Sequence, residues 1–181
     1  MRTTGRCETQ GLRTGSTRRP SRREPATGGI SMRRRGEVIW TTGRSTGGFC
    51  DTIGNRGGFS LRACEYGHNG GLGGAVGGPS FIVNTDAGPF TARAKRALDT
   101  GWHHLAGVYD GGSVTLYVDG AIAASGPARG RLLGQEEDIA MGHIADGSAR
   151  FRGEIGETCI SASARKEEWV RTRYEEFVAQ S

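Results

Sequence analysis

Apolar residues recur along this chain at two spacings, and the stretch Gly101 to Gly120, GWHHLAGVYDGGSVTLYVDG, shows the commoner one most clearly. Aromatic and branched residues crowd Trp102 to Tyr109, Asp110-Gly111-Gly112-Ser113 interrupts them, and Val114 to Val118 then alternates strictly. On a strand, Val114, Leu116 and Val118 share one face, while Thr115, Tyr117 and Asp119 share the other. Asp-Gly and Gly-Gly suit the connections, because tight hairpin turns need φ > 0, which glycine adopts without steric cost. Asp119-Gly120 opens a second reversal into Ala121 to Ser125. The pattern predicts an antiparallel meander with one buried face.

The same alternation predicts further strands. Glu37 to Thr42 reads as one, followed by a loop from Gly43 to Gly58. Phe59 to Tyr66 alternates again, with Phe59, Leu61 and Ala63 facing one way and Ser60, Arg62 and Cys64 the other. Phe81 to Val83, Pro89 to Thr91 and Phe151 to Ser161 complete the set. The spacing becomes helical only near the end. Val170, Tyr174, Phe177 and Val178 fall on one stripe, and Ser163 is placed to cap a helix from about Ala164 to Val178.

Composition narrows the picture. A chain of 181 residues suits one domain with a core of its own. Its 32 glycines, against an average share of about 7%, come without a strict period and so mark turns between short strands. No apolar run approaches the length of a membrane-spanning helix, and the start lacks the apolar segment of a secretory signal peptide. The glycine-rich stretch Gly67 to Gly78 has neither the lysine nor the following helix of a phosphate-binding loop.

The net charge of +5 is unevenly placed. Residues 1–35 hold ten arginines against Glu8 and Glu24, a balance of +8, which leaves 14 basic and 17 acidic groups, or −3, for residues 36–181. A domain with that acidic balance is not expected to bind nucleic acid. Residues 1–35 also lack core-forming side chains and are expected to be a disordered basic tail. The competing readings of this segment are an organelle transit peptide and a shifted start that replaces the first strands of the fold. In the last case the sheet would carry an uncovered edge. Four cysteines, Cys7, Cys50, Cys64 and Cys159, are too few for a disulfide framework and lack metal-binding spacing. Cys50 and Cys64 can pair across neighbouring strands in an oxidising compartment; buried or free thiols are the simpler expectation.

Trp102-His103-His104-Leu105-Ala106-Gly107-Val108-Tyr109-Asp110-Gly111, followed by Leu116-Tyr117-Val118-Asp119-Gly120, resembles the core of laminin G-like and pentraxin-like modules of the concanavalin A-like lectin/glucanase superfamily. Gly58-Phe59-Ser60-Leu61 matches a strand of those modules, and Ile155, Glu157, Ile160, Ser161, Trp169, Arg171-Thr172 and Tyr174 match their ending. The resemblance spans about Glu37 to Phe177 and implies an all-β fold: a jelly-roll sandwich of two antiparallel sheets with one short C-terminal α-helix. It implies an extracellular or cell-surface setting. Lectins, adhesion modules and glycosidases all use this fold, so function has to be argued from the site.

Chemistry concentrates in Leu133-Gly134-Gln135-Glu136-Glu137-Asp138. Three successive carboxylates repel one another unless a cation or solvent neutralises them. On a strand, Glu136 and Asp138 share a face, an arrangement that suits Ca²⁺ when carbonyls add further oxygens. A solvated acidic edge is the plainer alternative. The segment is similar to the calcium loop of pentraxins, which implies Glu136, Glu137 (through its carbonyl), Asp138 and Asp146 as metal ligands. Ala149 and Arg35-Gly36 stand where that family supplies further ligands, so any Ca²⁺ site is expected to be weak. Family 16 glycoside hydrolases share the fold and use an E-x-D-x-x-E strand. Here Glu136 and Asp138 are present, but Met141 takes the last place. Retaining hydrolysis needs two carboxyls about 5–5.5 Å apart, so no catalytic residues are expected. His103 and His104 point to opposite faces of a strand and cannot share one ion. The resulting expectation is a non-catalytic module recognising carbohydrate or another surface ligand through edge loops, with Asp110 a further candidate. A glycosidase-like relic or accessory domain and a structural adhesion spacer are the alternatives.

Overall fold

The computed structural model describes residues 37–45, 51–54, 57–63, 77–133, 139–142, 151 and 153–180, all within one compact unit, Met32–Ser181. The tail expected over residues 1–35 lies outside the described residues. Two antiparallel sheets face each other. The first has the order β10 (Gly153–Ser161), β1 (Glu37–Ser45), β6 (His103–Tyr109), β7 (Ser113–Val118), β8 (Ala121–Pro127). The second runs β5 (Gly88–Arg93), β4 (Ser80–Thr85), β3 (Phe59–Arg62), β2 (Asp51–Gly54), β9 (Ala140–Met141). One helix, α1 (Glu167–Gln180), follows β10.

The core lies between the sheets. Phe59 and Leu61 on β3, Phe81 and Val83 on β4, and Leu105, Tyr109, Val114 and Leu116 on β6 and β7 are all buried. Gly107 is part of this fit, since a Cβ there would fall inside the Phe81 ring. The Asp119-Gly120 connection has the predicted form. Val118 pairs with Ala121, and both turn residues have positive φ, 51° at Asp119 and 75° at Gly120, as a two-residue type I′ turn requires.

Four expectations are corrected. β6 is buried on both faces: Leu105, Gly107 and Tyr109 face the core, whereas His104, Ala106 and Val108 lie on the outer face. There Ala106, Val108, Tyr117 and Cys159 form a second cluster with Val170 and Trp169 of α1. A helix laid over the outer face removes the polar half of the alternation, which explains why β6 reads as a continuous apolar run. Secondly, the stretch taken as a loop from Gly43 contains the end of β1 and all of β2, and β9 was not foreseen.

Thirdly, the helix begins at Glu167, not near Ala164. Lys166 supplies the first carbonyl, accepting from Trp169 and Val170 N–H at 3.0 and 3.3 Å. Glu167 and Glu168 place negative charge at the positive end of the helix dipole, which favours a start there over one at Ser163. Val178, placed on the packing stripe by its spacing, is exposed, and Val170 is the buried anchor. Lastly, Cys159 is disulfide-bonded, not a free thiol, and its partner lies outside the described residues, as do Cys50 and Cys64. No helix among the described residues is long and apolar enough to cross a membrane.

Candidate functional site

Glu136, Glu137, Asp138 and Asp146 lie outside the described residues, but the chain leading into the acidic segment is well defined. Residues 128–133 cross the end of the second sheet as a strap. The buried Tyr109 donates its hydroxyl to the Gly130 carbonyl at 2.6 Å, and Thr85 Oγ1 lies 2.8 Å from the Arg129 carbonyl. Asp86 accepts the Arg131 N–H at 2.8 Å, and Leu133 N–H reaches the Asn84 carbonyl at 2.9 Å. On the far side the chain returns at Ile139 and joins β2 through β9. Leu133, Ile139 and Met141 are exposed on either side of the acids. Met141, which stands where a family 16 hydrolase carries its second outer acid, is 55% exposed and has no proton to give. Among the described residues no group of three or more His, Cys, Asp or Glu could hold a metal ion.

Asp110 is committed to its own turn. Its Oδ1 accepts from Gly112 N–H at 2.8 Å and Ser113 N–H at 2.6 Å, and its Oδ2 accepts from Ser113 Oγ–H at 2.9 Å. Burial opposes its charge, but these bonds outweigh it and hold the carboxyl below its ordinary value. The bonds account for Asp110 as a turn-former.

The two histidines point to opposite faces, as strand geometry demands. His103 is clasped between carboxylates, with Nδ1 2.8 Å from Asp119 Oδ2 and Nε2 3.1 Å from Asp99 Oδ1. His104 is fully buried beneath α1, its ring 6.2 Å from that of Tyr174. Burial pulls its pKa from 6.5 to about 4, with Asp119 opposing the shift in part. Asp119 Oδ1 also accepts the His104 backbone N–H at 2.9 Å. One turn aspartate thus fixes both histidines, a role that its place in an ordinary Asp-Gly turn does not reveal.

Sequence reasoning counted Trp102 as part of the first core strand. It lies just outside β6 and is 41% exposed. Thr41, Gly43, Ala63, Leu98, His103, Leu105 and Phe151 line a cleft with space for about one water molecule. That cleft is too small to enclose a sugar ring.

A family model, Laminin_G_3, described as concanavalin A-like lectin/glucanases superfamily, matches residues 40–171. Among solved structures, a candidate carbohydrate binding protein from Bacteroides ovatus superposes with a TM-score of 0.61 at 21% identity, over 76% of this chain and 40% of that one. The chain thus spans less than half of that protein. The CBM40 of Ruminococcus gnavus IT-sialidase, bound to α2,3-sialyllactose, gives 0.60 at 13% identity, over 79% of this chain and 84% of that one. Domain 4 of AbnA, a GH43 extracellular arabinanase from Geobacillus stearothermophilus, in complex with arabinotriose, gives 0.54 at 19% identity, over 77% and 65%. At these identities the likeness is one of fold. No curated protein matches the sequence.

Proposed function

The chain belongs to the Laminin_G_3 family of the concanavalin A-like lectin/glucanases superfamily, and from that premise we propose that it is a non-catalytic module that binds carbohydrate on an open surface of its sandwich. One observation carries the reading: a lectin-type sandwich presents an exposed methionine, Met141, where hydrolysis would need a second carboxyl. Without that group the pair of outer carboxyls that a family 16 hydrolase uses is incomplete in the sequence. The module would bind a glycan and leave it intact.

The solved neighbours support the ligand class, since one holds sialyllactose and another arabinotriose. The AbnA neighbour is extracellular, and the disulfide at Cys159 fits an oxidising compartment, so we place the module outside the cytoplasm. Calcium belongs to the same proposal. Glu136, Glu137, Asp138 and Asp146 would hold a weakly bound Ca²⁺; no binding step of the sugar is routed through it.

The test is a glycan array probed with the full chain, followed by a reducing-sugar assay on every glycan that binds. Binding without release of reducing ends is the expected result. Hydrolysis that disappears in Glu136→Gln would replace the module reading with a glycosidase.

A further inference from the structure

The helix α1 covers the first sheet with little hold of its own. Val170 is its buried residue, Trp169 packs beside it on the outer cluster, and Val178 near its end is exposed. The strand beneath is held from more sides. β6 pairs with β1 and β7, and its inner residues Leu105 and Tyr109 lie in the core between the sheets. A terminal element with one buried anchor opens at a lower free energy than a strand at the centre of a sheet.

His104 lies at the seam between the two, fully buried. Tyr174 of α1 covers its ring, and Tyr174 itself sits on the β7–β8 turn, where a Cβ added at Gly120 would lie 2.8 Å from the Tyr174 Cδ1. The turn also brings Asp119, the charge that acts on the imidazole. Both its oxygens are engaged, Oδ1 by the His104 N–H and Oδ2 by His103 Nδ1. On α1, Arg173 is turned to Glu176 at 2.8 Å and to the Trp169 ring, while Glu175 is exposed. β1 sets the uncharged Thr42 across the ladder from His104, and Cys159 of β10 is in a disulfide. Tyr117, on the same outer face, has its pKa raised by burial and stays neutral in acid. A proton on His104 therefore puts a full charge into a covered seam, at a cost that Asp119 offsets only in part.

We propose that α1 is a proton-released cover: protonation of His104 lifts the helix off the outer face of the first sheet while the sandwich beneath stays folded. Opening gives the imidazole to water, where it takes up a proton at its ordinary pKa of 6.5, whereas the closed seam holds that value to about 4. Between these values acid favours the opened form, because only that form binds the proton. The release bares Ala106, Val108 and Tyr117, an apolar patch that the protein hides at neutral pH. β10 keeps its place through its ladder with β1. The device operates whether or not the sandwich holds a sugar.

Hydrogen exchange read by mass spectrometry on the full chain, at pH 7.0 and 4.5 and corrected for the intrinsic rate at each pH, tests the release. Amides of α1 should exchange at least tenfold faster at pH 4.5, while those of β6 and β7 keep their protection. In His104→Phe, where this site takes up no proton, α1 should be equally protected at both pH values. His104→Leu makes the same comparison if the phenylalanine variant does not fold. Equal protection of α1 at the two pH values in the parent overturns the proposal. Loss of protection in β6 and β7 together with α1 overturns it too, since the event is then global unfolding. A release that persists in the variants assigns it to another group and overturns the role of His104.

Discussion

Replacing His104 by phenylalanine should remove a specific acid sensitivity from this protein. The imidazole is fully buried under α1 against Tyr174, and the Asp119 charge opposes the effect of burial in part. Burial brings its pKa to about 4 in the folded chain, against 6.5 for the exposed side chain. Between these values the unfolded state binds a proton that the folded state refuses. Stability is therefore unaffected above pH 6.5, falls as pH drops through the window, and levels off below about 4. Each pH unit inside the window costs about 1.4 kcal/mol, so the full effect is about 3 kcal/mol, most of it reached by pH 4.5. Phenylalanine fills nearly the same space and leaves the backbone N–H of residue 104 bonded to Asp119. Urea unfolding followed by tryptophan fluorescence at pH 7.0 and pH 4.5 gives the comparison. The stability of His104→Phe relative to the parent should rise by about 2–3 kcal/mol on acidification, whatever its offset at pH 7. Two stability curves that stay parallel across this range would mean that His104 takes up its proton without leaving its site, and would refute the reasoning.

Three other outcomes follow from the packing and the acids. Gly107→Ala puts a methyl group into the Phe81 ring and should cost about 1–3 kcal/mol by thermal or urea unfolding; an unchanged midpoint would show that the facing sheets can separate at no cost. Tyr109→Phe deletes the bond to the Gly130 carbonyl and should cost about 1 kcal/mol, with faster amide exchange in the 128–133 strap; unchanged exchange there would mean that the strap is held without it. Millimolar Ca²⁺ should raise the melting temperature by mass action, and Glu136→Gln should abolish the rise; no rise in the parent would retire the metal.

The parts of the fold that local rules govern were legible in the residues. The Asp119-Gly120 turn needed positive φ at two successive positions, and only a few residue pairs supply it, so the hairpin was readable from one dipeptide. What escaped was set by neighbours distant in the chain. β2 and β9 are too short to declare themselves; β2 exists because β3 gives it a partner, and β9 because β2 does. The burial of the outer face of β6 depends on a helix that begins more than fifty residues later. The helix start itself was misjudged because Ser163 is a good cap in isolation, while the acids at Glu167 and Glu168 favour a later first turn.

The candidate chemistry divides the same way. The acidic run Glu136 to Asp138 announces itself by charge alone, whereas Asp119 looks like an ordinary turn acid. Only the structure shows that it accepts the His104 backbone N–H and lies 2.8 Å from His103 Nδ1.

The central claim is that this sandwich binds carbohydrate and does not cleave it. The most direct test is a glycan array with the full chain, coupled to product analysis of each bound glycan. The account predicts saturable binding of at least one glycan, recovered intact after prolonged incubation. A glycan shortened by the protein, or an array on which nothing binds, would contradict it.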